Sequence, residues 1–146
     1  MKTAMWMLAL ALGMGACSDS MMSDHDDMQG MIDDARGEAE RHRTLSAAAG
    51  SLEGMRGEMS RHEGAMTPMM AGMTMEMGEM SHCAEAGMHD LRTMHEGMAG
   101  EMETHRAGVE NAAAVGAAMD EVGRHSQAMG DMLGHMEHAM EDMDCM

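Results

Sequence analysis

Methionine occupies the hydrophobic positions of this chain, and it does so at helical spacing. Met129, Met132, Met136, Met140 and Met143 step by 3, 4, 4 and 3, which holds them on one face of an α-helix. Extending that stripe backward by four residues reaches His125, and Met94, Met98, Met102 and His105 form the same stripe on the preceding segment. Between the stripes lie Glu, Arg, Asp and Gly, the polar face such a helix needs. The β-branched and aromatic residues that favour strands are nearly absent, so the pattern predicts an all-α fold. Helices are expected near 28–47, 53–81, 84–109 and 117–144. Thr67-Pro68 is expected to break or restart the second one, because proline cannot continue the hydrogen-bond ladder but suits a first turn.

The helices come in two copies of one unit. Residues 27–80 align without a gap on 90–143, an offset of 63 positions with about 17 identities in 54. The matched pairs are mostly charged or coordinating side chains: Glu38/Glu101, His42/His105, Arg43/Arg106, Glu58/Glu121, Arg61/Arg124 and His62/His125, followed by the run from Met66/Met129 to Met80/Met143. Two tandem repeated helical hairpins imply an antiparallel four-helix bundle over 28–146, with repeat one at 27–80 and repeat two at 90–143.

Composition makes that bundle unusual. After residue 17 there are four Leu, one Ile and three Val, with no aromatic side chain, so about 24 Met and the alanines must supply the core. Methionine packs adaptably but specifies a core poorly. Glycine at interior helical positions costs up to about 1 kcal/mol each relative to alanine. A fold this soft calls for help from a disulfide, an anchor or a bound ligand.

The first 16 residues read as a signal peptide: Lys2 gives the positive end, and Ala4 to Leu12 a short apolar stretch well below the roughly 20 residues of a spanning helix. Met14-Gly15-Ala16-Cys17 resembles the lipobox of bacterial lipoproteins, with Met14 where that motif usually has Leu. The resemblance implies that Cys17 is lipidated, that 17–27 is an acidic tether, and, with Ser18 following, that the protein faces the periplasm from the outer membrane. Two cysteines then remain, Cys83 and Cys145, which bracket the second repeat. In an oxidising compartment they are expected to pair; closing about 61 residues would contribute roughly 4 kcal/mol. Two free thiols acting as metal ligands are the alternative. With 26 acidic against nine basic residues and a net charge of −17, the chain is poorly suited to nucleic acid or anionic lipid. Its partners would be metal ions, a membrane reached through the anchor, or a cationic or helical protein.

Copper(I) and silver(I) prefer thioether and imidazole ligands. Thioethers need no deprotonation and form no disulfides, which suits an exported site. Met and His three residues apart share a helix face, as in Met22/His25, Met59/His62, Met102/His105, Met132/His135, His25/Met28 and His95/Met98. These clusters resemble periplasmic Met/His-rich copper- and silver-binding proteins. The paired histidines lie symmetrically about each hairpin turn, so His42, His62, His105 and His125 are expected near one level of the bundle, with Met59, Met66, Met102 and Met129 within one turn. Met98, His95, Met132 and His135 complete the candidate ligand set.

Structural roles compete with these. A methionine stripe can be core alone. The repeated histidines could pair with Glu38, Glu58, Glu101 and Glu121, each four residues earlier, and Arg43, Arg61, Arg106 and Arg124 could make ordinary surface ion pairs. A di-iron carboxylate centre needs Glu-x-x-His on two helices; only Glu79/His82 has that spacing. No Ser or Cys elbow and no phosphate-cradling loop suggests an enzyme. The sequence therefore points to an envelope lipoprotein that binds or buffers copper(I), with silver(I) as a mimic. The alternative is a Met-packed structural or partner-binding lipoprotein, or an oxidant sink.

Overall fold

The computed structural model describes residues 16–143. Four helices make up almost all of it: α1 (Ala16–Ala48), α2 (Leu52–Glu79), α3 (Glu85–Asn111) and α4 (Val115–Glu141), with a single 3₁₀ turn at Met80–His82 after α2. Each packs on two neighbours, α1 on α2 and α4, and α3 on α4 and α2, which is an antiparallel four-helix bundle. The two diagonals are therefore α1/α3 and α2/α4. Among the described residues no helix is long and apolar enough to cross a membrane.

The turns follow from local chemistry. Gly50 adopts φ +64°, a left-handed conformation that costs a side chain, and so reverses the chain between α1 and α2. Ser51 then caps α2, its hydroxyl accepting from the Gly54 N–H at 3.1 Å. The α3–α4 link is Ala112 to Ala114, and Ala114 offers no side-chain cap.

The core is built from thioethers. Met28, Met66, Met73, Met98, Met129 and Met136 are wholly buried, joined by Ile32, Leu91, Val109 and Leu133. Each buried methionine contributes about 1.5–3 kcal/mol of apolar transfer, against up to about 1 kcal/mol lost at an interior glycine. Methionine burial thus carries the fold despite the glycines. Several glycines are also where methionines lie: Met31 Sδ would stand 2.9 Å from a Cβ at Gly72, and Met132 Sδ 3.0 Å from one at Gly97.

Two expectations need correction. α2 runs unbroken through Pro68. Proline deprives the Gly64 carbonyl of its partner, but Gly64 and Pro68 both lie on the exposed face, where water can satisfy that group. The segment 17–27, expected as a tether, belongs to α1. The signal peptide expected at 1–16, apart from Ala16, and the Cys17 side chain expected to carry lipid lie outside the described residues.

Candidate metal centre

The bundle brings His42, His62, His105 and His125 together, one from each helix, all with no exposure. Two relationships organise them. Within each hairpin the rings stack, His42 on His62 at 4.1 Å and His105 on His125 at 3.9 Å between centroids. Across the diagonals the rings meet edge-on. His42 Nε2 faces His105 Nε2 at 3.0 Å, and His62 Nε2 faces His125 Nε2 at 3.2 Å. Both diagonal contacts join residues 63 apart.

Every ring commits its other nitrogen to a carboxylate. His62 Nδ1 is 2.9 Å from Glu38, His42 Nδ1 3.2 Å from Glu58, His125 Nδ1 3.0 Å from Glu101, and His105 Nδ1 3.3 Å from Glu121. The structural pairing expected from sequence, with the glutamate four residues earlier on the same helix, is thus replaced by a crossed one. Each histidine reaches the glutamate of the other helix in its hairpin. Arg61 and Arg124, expected as surface ion pairs, hold these carboxylates in place. Arg61 donates to Glu38 and Glu58 at 2.6 Å each, and Arg124 to Glu101 at 2.9 Å and Glu121 at 2.6 Å. Arg43 and Arg106 behave as expected, Arg43 pairing with Glu40 and Arg106 lying 3.9 Å from Glu63, all of them exposed or half-exposed.

The electrostatics follow from burial. Burial depresses all four imidazoles, His42 to about 4 and His125 to about 2, with the neighbouring histidines adding to both and the glutamates offsetting burial only in part at His42, His62 and His105. Burial would raise Glu38 and Glu58, but bonds from Arg61 and the histidines hold both below the usual carboxylate range. Arg124 does the same for Glu121. The rings are therefore neutral near pH 7, and Glu38, Glu58 and Glu121 are ionised. An ionised carboxylate only accepts, so each Nδ1 must carry the ring's single proton. Each Nε2 is left as a bare lone pair, and the lone pairs point at one another across both diagonals. Four carboxylates against two guanidiniums also leave two negative charges around the centre.

Such nitrogens could hold a metal ion, and the Nδ1–H···carboxylate bonds are of the kind that fixes the ring orientation and raises the basicity of a histidine ligand. Two nitrogens held about 2.0–2.1 Å from one tetrahedral ion stand roughly 3.3–3.4 Å apart, close to the 3.0 and 3.2 Å found here. Three ligand atoms mutually within 4.8 Å occur among the described residues at Asp24, Glu76 and Glu79, a partly exposed acidic cluster at the open end; the imidazole nitrogens group two by two.

The remaining candidate ligands divide. Met59, Met66, Met98, Met102 and Met129 are buried within one or two turns of the histidines. Met66 and Met129 are a repeated pair, whereas Met59 has Val122 and Met102 has Ala39 at the matching place. His95, Met132 and His135 do not join the centre. His95 Nε2 donates to the Met70 carbonyl at 2.9 Å, tying α3 to α2. Met132 packs over Gly97, and His135 is exposed beside His138. Cys83 is disulfide-bonded; Cys145, its expected partner, lies outside the described residues. Sequence reasoning missed Ser46, which is buried one turn beyond His42 with no partner for its hydroxyl. Its repeat counterpart is Val109, so no repeated polar signal marks it. Comparison of the chain with protein families, curated proteins and solved structures finds no match.

Proposed function

We propose that this protein binds and buffers copper(I), with silver(I) as a chemical mimic, at the four-histidine centre. The observation that carries this reading is the pair of Nε2···Nε2 contacts at 3.0 and 3.2 Å between rings whose Nδ1 protons are already committed to carboxylates. Facing lone pairs repel unless a cation lies between them. Burial opposes protonation, so a metal ion is the better occupant. Two excess negative charges match two monovalent ions, one on each diagonal pair, and the surrounding thioethers favour a soft ion over a hard one. Opening a pair slightly would suit low-coordinate copper(I), and Met66, Met102 and Met129 are near enough in sequence to add a sulfur. The lipobox-like Met14-Gly15-Ala16-Cys17 supports placing this buffer on the periplasmic side of the outer membrane, anchored through Cys17.

The deciding experiment is an anaerobic copper(I) titration of the protein against a chelating indicator, with helicity followed at each step. Uptake of two equivalents that compete with the indicator supports the proposal. A second reading is a polar layer that only sets the register of the bundle, favoured by the fully bonded Glu–Arg frame. No competition with the indicator would leave that reading standing.

A further inference from the structure

A wholly buried centre needs a way in, and the bundle is not equally closed on its two inter-hairpin sides. On the α1/α4 side Arg36 reaches across to Glu137 at 2.7 Å, and Gln29 donates to the same carboxylate at 3.2 Å. The positions equivalent by the 63-residue offset on the α2/α3 side are Ala99, in place of Arg36, and Thr74, in place of Glu137. No ion pair can form between these two; Thr74 Oγ1 instead meets His95 Nε2 at 3.3 Å, a weaker link between α2 and α3. What stands instead is an open groove of about 390 Å³, with Met66, Met70 and Met102 among its lining residues and Ala99 on its wall. Toward the open end, His95 bonds to the Met70 carbonyl. Toward the turns, Arg106 and Glu63 face each other across the groove at 3.9 Å, a loose contact between half-exposed side chains.

We infer that this α2/α3 groove is the access route for a soft monovalent ion to the histidine centre, an inference that rests on the proposed copper(I) function. Met70 is partly exposed, while Met66 and Met102 are buried and lie one turn from His62 and His105. An ion at the surface therefore meets a thioether first, passes to two deeper thioethers, and then to imidazole. Each transfer exchanges one neutral soft donor for another, so the ion is never left bare in an apolar interior, where an unpaired charge is costly. Glu63 and Glu103 at the rim attract the cation. The opposite side lacks this sequence of donors: the counterpart of Met70 is Leu133, and that of Met102 is Ala39.

The test transplants the clasp. Thr74→Glu with Ala99→Arg should close the groove as Glu137 and Arg36 close the other side, and Ala99→Leu is a second variant that narrows it with apolar bulk. Silver(I), which undergoes no redox change, is the probe, with uptake and release followed by stopped flow against a competing indicator and helicity checked for each variant. The expected result is uptake slowed at least tenfold, release slowed in proportion, and equilibrium affinity unchanged. Unchanged uptake rates in folded variants, with wild-type silver still lost on replacing His105 and His125, would overturn the route and leave the metal function intact. A wild-type protein that takes up no silver would overturn both.

Discussion

His42 and His105 face each other Nε2 to Nε2 at 3.0 Å across the α1/α3 diagonal, while each gives its Nδ1 to a glutamate on the other helix of its own hairpin. The contact has no proton to share while both rings are neutral. On the proposed function, this is where a cation would gain most. Replacing His105→Ala with His125→Ala removes one member from each diagonal pair, and copper(I) affinity should fall more than the roughly 10–100-fold typical of losing a supporting residue. His25→Ala, outside the centre, should change it little. Competition titration with a chelating indicator measures both, and equal losses would sink the histidine centre as the site.

Arg61 is the keystone of one half of the frame. Its guanidinium bonds to Glu38 and Glu58 together, and without it two largely buried carboxylates face each other unneutralised. Arg61→Met should cost about 1–3 kcal/mol of stability in the metal-free protein and weaken copper(I) binding roughly 10–100-fold. Arg43→Met removes only an exposed pair with Glu40, worth about 0–1 kcal/mol, and should leave affinity unchanged. Urea unfolding and the indicator titration read the two effects separately. Matching behaviour of the two variants would show that Arg61 is another surface charge.

Acid should destabilise the metal-free bundle from a definite pH. The folded state holds His42 near 4 and His125 near 2, below the ordinary histidine value of 6.5, because burial penalises the charged ring. The unfolded chain therefore binds more protons as soon as the pH drops below about 6.5, and stability declines with roughly 1.4 kcal/mol per pH unit for each such proton. The His42 contribution is spent by about pH 4 and that of His125 continues toward pH 2. Glu38, Glu58 and Glu121, all held below the usual carboxylate range, add losses below about 4.5. Bound copper(I) competes with these protons, so the loaded protein should unfold at lower pH. Urea midpoints that stay flat from pH 7 to 5 without metal would contradict buried neutral histidines.

The four histidines were legible in the sequence because each helix reports its own inner face by spacing, and His42 with His105 and His62 with His125 match at the 63-residue offset. Their carboxylate partners were not. Spacing relates residues on one helix, whereas the bonds from His62 to Glu38 and from His42 to Glu58 depend on how two helices are rotated against each other. The same gap explains His95. It shares a face with Met98, but that face turns partly toward α2, where the Met70 carbonyl takes the ring nitrogen. Pro68 misled in the opposite sense. Its local preference for a break is overridden by Met66 and Met73, buried on either side of it, while the lost hydrogen bond falls on the solvent face.

Glycine separates packing from support of the centre. A Cβ at Gly108 would stand 2.7 Å from Glu121 Cγ and Cδ, so the carboxylate that receives His105 and Arg124 must move. A Cβ at Gly100 would meet nothing within 4 Å. Gly100→Ala should therefore gain up to about 1 kcal/mol of helix stability without touching metal affinity. Gly108→Ala gains the same helical preference but displaces Glu121, so its stability should rise less or fall, and copper(I) binding should weaken by roughly tenfold, as for other losses of ligand support. Thermal unfolding and indicator competition on the two variants give the comparison. Equal affinities would mean that the Glu121 bond to His105 does not set the strength of the centre.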